Sequence, residues 1–360
     1  MTEPTYIPLR LHTEFSITDG MVRIKKLIAK AQEYGLPALG ISDLMNEFGL
    51  VKFYKACRGA GIKPIGAADV WIGNPNAPDK PFRAMLIIRN DAGYLRLSEL
   101  LTEAYVGKDR NIHHAELNPE WLENGDNSGL ICLSGAHYGE VGVNLLNGNE
   151  DAARAAALKY AAWFPDAFYL ELQRLPERPE WEACVSGSVK LAEELGLPVV
   201  ATHPTQFMSS DDFNAHEARV CIAGGWVLTD KKRPRDFTPS QFFIPPETMA
   251  ERFADLPEAL ENTVEIAKRC NLHITLGKNF LPLFPTPDGL SLDDYLVKLS
   301  NEGLQERMVQ LYPDEAERAA KMPEYQERLD FELNIIIQMK FPGYFLIVQD
   351  FINWAKTHGC

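Results

Sequence analysis

Residues 9–202 repeat one pattern: a short strand-like apolar run, then a run with the 3.6-residue spacing of an amphipathic helix. Residues 9–12 alternate apolar and polar, and residues 21–34 carry helical spacing (Met21, Ile24, Leu27, Ile28, Ala31) that stops at Gly35. Residues 37–42 read as a buried strand ending in Asp43-Leu44. A helix over 48–57, a stop at 59–61 and a strand over 64–71 repeat the unit. Strands follow at 83–89, 129–134, 168–173 and 198–202, with helices over 92–105, 151–164 and 182–195 between them. This order predicts an α/β fold with a mainly parallel sheet covered by helices, and so many units point to closure into a barrel. Beyond Asp212 the chain reads as mostly helical. A Pro-rich passage then divides it into residues 1–275, a linker over 276–290 and a helical stretch over 291–360 that reads as the opening of a further domain.

Within that frame the polar residues collect where the strands end: His12, Asp43, Asp69, Gly135 to His137, Glu171 and His203. Sites of α/β barrels sit at the carboxyl ends of strands, so the clustering predicts a site, living or vestigial. The stretch at residues 9–20 has nearly the form of a metal site. Arg10 and His12 share one side of the first strand and Asp19 follows seven residues later, so an imidazole and a carboxylate can meet at one point. A His at position 10 would complete a His-x-His pair, but an arginine stands there, always protonated and with no lone pair to give.

Composition bounds the partners. The chain has 360 residues and a net charge of −14, which argues against broad nonspecific binding to nucleic acid, because phosphates must be neutralised by Lys and Arg. Six scattered cysteines (Cys57, Cys132, Cys184, Cys221, Cys270, Cys360) form no Cys-x-x-Cys pair and fit a reducing cytosol as core filler. Met1-Thr-Glu-Pro has no secretory character, and the longest apolar run, near residues 345–354, is too short to span a bilayer, so a soluble cytoplasmic protein is expected. Two smaller motifs carry less. Residues 231–235 (Lys-Lys-Arg-Pro-Arg) read as a solvated loop before a phosphate contact, and His113-His114 carries no ligand spacing.

Seven stretches in order, at residues 9–20, 40–46, 61–69, 133–135 (Leu-Ser-Gly), 169–172 (Tyr-Leu-Glu-Leu), 197–202 and 340–348 (Lys-Phe-Pro-Gly-Tyr-Phe-Leu-Ile-Val), closely resemble the alpha subunits of bacterial replicative DNA polymerase III, the C-family polymerases. The resemblance covers the whole chain. It implies a PHP domain over 1–275, a distorted α/β barrel whose active members hold a trinuclear metal cluster, followed by the start of the polymerase palm.

Carried over residue by residue, the resemblance keeps His12, Asp19 and Glu171 as metal-ligand positions and replaces the usual Glu by Asp69. It finds Arg10, Leu44, Ala136, Pro204 and Gln206 where other ligands belong; His137 and His203, each one place from a lost ligand, are the candidate substitutes. It therefore implies a domain that has lost its metals. That domain would serve as scaffold and as dock for the C-terminal tail of the separate proofreading exonuclease (epsilon) subunit. The rival reading is a live metal-dependent phosphoesterase or exonuclease.

Polymerisation needs paired carboxylates holding two metal ions, and no Asp-x-Asp occurs in these residues. The resemblance accordingly places the polymerase's catalytic aspartates and its Mg²⁺ outside them, so no catalytic residue and no cofactor is expected here. Contacts with DNA and with the sliding clamp are expected only through the full-length subunit.

Overall fold

The computed structural model describes residues 4–278 and 281–359, so Met1 and Cys360 lie outside the described residues. Two compact units divide the chain, Met1–Ile274 and Thr275–Cys360.

In the first unit the elements run α1 (Ile24–Glu33), β1 (Ala38–Leu44), α2 (Leu50–Gly59), β2 (Lys63–Ile72), β3 (Phe82–Ile88), α3 (Asp91–Val106), α4 (Pro119–Glu123), β4 (Leu130–Leu133), α5 (Glu140–Leu146), α6 (Glu150–Trp163), β5 (Phe168–Leu172), α7 (Glu182–Leu195), β6 (Val199–Ala201), α8 (Phe213–Gly224), α9 (Pro246–Arg252) and α10 (Pro257–Arg269). The α1 helix buries Ile24, Leu27, Ile28 and Ala31 along one stripe and ends where Gly35 adopts a φ of +63°. Asn90 caps α3 by accepting a hydrogen bond from the Gly93 amide at 3.0 Å.

The six strands form one mixed sheet in the order β1-β2-β3-β4-β5-β6. Pairings β1–β2, β4–β5 and β5–β6 are parallel, whereas β2–β3 and β3–β4 are antiparallel. The sheet is therefore mainly parallel with β3 reversed, and it curls into a half-barrel. Residues 73–81, between β2 and β3, are too few for a crossover, which needs a dozen or more, so the two strands must pair as a hairpin.

Residues 9–12, expected as the first strand, make only an isolated bridge, yet the stretch 8–13 spans the open side of the half-barrel. The Pro8 carbonyl accepts from the Gly40 amide (2.7 Å), the Leu11 carbonyl from the Ser42 amide (2.9 Å), and the Thr205 carbonyl from the His12 amide (3.0 Å). Gly40 is required for this approach, because a Cβ there would stand 2.3 Å from the Leu9 carbonyl oxygen. Leu9 and Leu11 point into the core, fully buried, while Arg10 and His12 point the other way, toward the site.

The second unit contains α11 (Leu292–Leu311), α12 (Glu315–Gln338) and α13 (Pro342–Thr357), packed around Leu296, Leu333 and Leu346. Ser291 and Asp314 cap α11 and α12 by accepting from the Asp294 and Glu317 amides. Among the described residues no single helix is long and apolar enough to cross a membrane; α12 and α13 reach that measure only jointly, across a 116° bend.

Candidate functional site

The half-barrel brings together six ionisable side chains from four places in the chain: Arg10, His12 and Asp19 near the N-terminus, Asp69 on β2, Arg83 on β3 and Glu171 on β5. All are buried or nearly so, with side chains no more than 12% exposed. Taking ions out of water is costly unless each finds a partner, so their pairing decides what the site can do.

Arg10 lies between two acids. Its Nε and Nη2 donate to Glu171 Oε1 and Oε2 (2.7 and 2.9 Å), a bidentate fork, and its Nη1 donates to Asp69 Oδ2 (2.5 Å). Glu171 accepts further from the Thr202 hydroxyl (2.5 Å), the Gln173 amide (3.2 Å) and the Gly135 backbone N–H (3.1 Å). Arg83 also donates to Asp69 Oδ2. Arg83 sits opposite Trp71 in the β2–β3 register, one diagonal step from Asp69, and its guanidinium lies 4.8 Å from the Trp71 ring centre.

Arg10 thus pairs with two of the three acids, since Asp19 is taken by His12. His12 Nδ1 stands 2.9 Å from Asp19 Oδ1, and its Nε2 stands 3.1 Å from Asp69 Oδ2. With a carboxylate at each nitrogen the ring is an imidazolium. Burial alone would push its pKa down, but Asp19 and Asp69 outweigh burial and raise it to about 9. For Asp69 burial works upward, and Arg10, Arg83 and His12 overcome it, holding the carboxyl well below its ordinary range. Asp19 is likewise held down by His12 against burial.

Charge closes within this group. Three cations (Arg10, Arg83, His12) face three anions (Asp19, Asp69, Glu171), and the net charge is zero without any metal ion. The residues present do not fit a metal cluster. A guanidinium bonds both Asp69 and Glu171, and each His12 nitrogen lies against a carboxylate, leaving no ring lone pair to coordinate. Among the described residues no three His, Cys, Asp or Glu side chains are arranged to hold a metal ion.

The other expected positions fall around this core. Leu44, Pro204 and Gln206 line the same cavity, and Gln206 lies 3.3 Å from His12 through its amide. Ala136 is buried just outside it at a φ of +49°. Asp43 turns away from the cluster, accepting from the Thr13 backbone N–H (2.6 Å) and the Thr13 and Ser16 hydroxyls, donors that oppose the upward push of burial on its pKa.

The two candidate substitutes part company. His203 is turned to structure, with Nε2 on the Phe242 carbonyl (2.9 Å) and Nδ1 3.3 Å from Arg252, and its pKa is pushed down to about 3 by burial and by Arg252. His137 reaches the cavity but makes no ion pair; its ring stacks on Trp181 at 3.5 Å between centroids. The loop at 231–235 is not wholly solvated, because Arg233 is buried against Glu217 at 2.5 Å. His114 pairs with Glu116 at 2.8 Å.

Sequence reasoning missed Arg83, Gln173 and Thr202. The short 73–81 connection was the available signal for Arg83, since it fixes the hairpin that sets Arg83 beside Asp69.

Residues 8–175 match the family described as PHP domain, and residues 294–360 match that described as Bacterial DNA polymerase III alpha NTPase domain. The fold and this cluster are thus those of a PHP-type α/β half-barrel with arginine at its centre. Relatives named DNA polymerase III subunit alpha align with the chain throughout: 98% identity over 360 residues in Neisseria meningitidis serogroup A, 48% over 358 residues in Pseudomonas fluorescens and 47% over 359 residues in Escherichia coli K12, covering 99–100% of this chain. The chain belongs to the DNA polymerase III alpha subunit family. It spans about a third of the length of these relatives, 30–32%.

Proposed function

We propose that the chain is the N-terminal part of a replicative polymerase's alpha subunit, and that its PHP domain is metal-free and non-catalytic, retained as scaffold and docking surface. The observation that carries this reading is the Arg10 fork: the cation that neutralises Asp69 and Glu171 is a side chain of the chain itself. Arginine is suited to that place because its planar, always-charged group matches a carboxylate bidentately. A live phosphoesterase would need these same carboxylates free for ions. DNA synthesis, its Mg²⁺ and contacts with DNA and the sliding clamp belong to the full-length subunit in this reading, in the cytoplasm.

The docking partner is the proofreading exonuclease subunit, bound through a tail that orders on contact. Such a tail needs an exposed apolar groove. A depression of about 430 Å³ between the loop after β1 and α3, lined by Met45, Phe48, Leu101, Tyr105 and Val106, supports this, with Phe48 64% and Val106 71% exposed.

Two measurements test the reading. Metal analysis of protein purified without chelators, beside a Mn²⁺-supplemented phosphodiesterase assay, is expected to give neither stoichiometric metal nor activity. Calorimetry of residues 1–360 against the exonuclease's C-terminal tail peptide is expected to show binding without DNA. Stoichiometric metal with nuclease activity lost in His12→Ala sinks the first half; no heat at tens of micromolar sinks the second.

A further inference from the structure

The chain is acidic as a whole, yet residues 23–63 carry eight Lys and Arg against three Asp and Glu. Within α1 and α2 themselves Glu33 is the one acid, since Asp43 is buried against Thr13 and Ser16 and Glu47 turns to the Ser98 hydroxyl on α3 (3.0 Å). Arg23, Lys26 and Lys30 fall at i, i+3 and i+7 along α1, and Lys52, Lys55 and Arg58 at i, i+3 and i+6 along α2. Each set lies on one side of its helix, away from the buried stripe.

The two sides adjoin. Arg23 Nε and Lys52 Nζ stand 3.9 and 3.8 Å from the Glu14 carboxylate, which joins the N-terminal ends, and Gln32 Nε2 donates to the Ala60 carbonyl (3.4 Å) where the helices finish. Little on the protein answers this charge. Glu33 holds Lys30 at 2.7 Å and Glu14 is shared between two cations, while Lys25, Lys26, Lys55 and Arg58 make no ion pair among the described residues. Like charges at that helical spacing destabilise a helix, so their accumulation here calls for an anion from outside the chain. We infer that the adjoining outer faces of α1 and α2 bind the phosphate backbone of double-stranded DNA without reading its sequence.

The shape and chemistry of the face select that partner. Each helix has 10 residues and is about 15 Å long, a length over which a duplex carries about nine phosphate charges on its two strands, so both rows of cations meet anions throughout. Five of the seven exposed or half-exposed cations (Arg23, Lys25, Lys26, Lys30, Lys52, Lys55 and Arg58) are lysines, flexible point charges that suit a run of phosphates better than bidentate contact with a base edge. A single strand is disfavoured, because neither helix exposes an aromatic ring on which bases could stack. An acidic protein segment is disfavoured too: of the large apolar side chains on these helices Val51 alone is exposed, and a protein interface needs an apolar centre.

The assignment gives these residues a part in the contact with DNA that the proposed function leaves to the full-length subunit, and it does not depend on whether the ion cluster holds a metal. The 360-residue chain, in EDTA and low salt, is titrated against a fluorescein-labelled duplex of mixed sequence and read by anisotropy. Saturable binding is expected, with log K falling against log salt at a slope near −5, roughly −0.9 for each of about six phosphates. Lys26→Gln, Lys55→Gln and Arg58→Gln together should weaken binding at least about tenfold and flatten that slope by about 3. The melting midpoint of this variant should be no lower than the parent's, because a good helix former replaces like charges. Lys231→Gln, Lys232→Gln and Arg235→Gln together change the net charge equally, and should leave the affinity within about threefold of the parent's if the face, not the overall charge, makes the contact.

No saturable binding at tens of micromolar protein overturns the inference. Equal weakening by the two triple variants, or binding indifferent to salt, overturns it too. Tighter binding of the separated single strand, or of a polyglutamate peptide of matched charge, assigns the face to a different partner and overturns it as well.

Discussion

Replacing Arg10 by Met tests whether the guanidinium holds the first unit together. Methionine keeps an unbranched stem but removes the charge and three charge-assisted hydrogen bonds, leaving two cations against three anions in a space where Arg10 is only 7% exposed. Removing one partner of a buried ion pair costs about 3–5 kcal/mol. The lower half of that range is expected, because Glu171 keeps Thr202, Gln173 and Gly135 as donors and Asp69 keeps Arg83 and His12. For a unit of this size about 3 kcal/mol shifts the melting midpoint by roughly 6–12 °C. Tryptophan fluorescence is the assay of choice: Trp71, Trp121, Trp163, Trp181 and Trp226 lie in the first unit and only Trp354 in the second, so the signal follows the half-barrel. Adding Glu171→Gln to Arg10→Met removes the surplus negative charge and should restore at least half of the lost stability, whereas Glu171→Gln alone should destabilise. A midpoint for Arg10→Met within about 1 °C of the parent, or no rescue in the double variant, would refute the reasoning.

Further expectations follow from the same geometry. The folded pKa of His12 is raised from 6.5 to about 9, so the stability it adds is complete below pH 6.5 and fades as pH rises through 9; denaturant unfolding of the parent against His12→Gln should show a gap that shrinks by roughly 3 kcal/mol across that window. Gly20→Ala should destabilise, because a Cβ at φ +74° would meet the His12 Cβ and the Thr13 carbonyl oxygen at 2.7 Å each; a thermal midpoint equal to the parent's would contradict this. EDTA should leave the melting midpoint unchanged, and a fall on chelation would show a bound ion contributing to the fold. Tail-peptide affinity should vary little between low and high salt if the apolar groove receives it, and a steep loss would mean an electrostatic contact instead.

The half-barrel was legible in the sequence because its helices announce their buried faces at 3.6-residue spacing and its strands are continuous apolar runs such as β4, Leu-Ile-Cys-Leu. Orientation was not. Nothing in residues 89–129, where α3 and α4 intervene, states that β4 runs against β3, since a long connection permits either sense. The site divided along the same line. Arg10, His12, Asp19, Asp69 and Glu171 could be read from the chain because strand ends are where barrel sites form. Arg83 was missed although the short 73–81 connection reverses its strand, because that connection was read as one more step of the repeat instead of a hairpin.

That difference bears on how, under the proposed metal-free reading, a metal site could be given up. Losing ligands alone would leave Asp19, Asp69 and Glu171 facing one another in a dry interior, and such a set either protonates or pulls in a cation. Arg10 alone is insufficient: one guanidinium against three carboxylates still leaves two charges uncompensated. Neutrality requires Arg83 from the reversed strand and a second proton on His12, the latter held by carboxylates at both ring nitrogens. The three cations therefore depend on one another, because each lowers the cost of keeping the shared acid Asp69 ionised. Undoing the arrangement at position 10 alone, by restoring a histidine, would free one ligand site while Arg83 and the protonated His12 still bond Asp69, which is why a single reversion is not expected to recover a metal-binding centre.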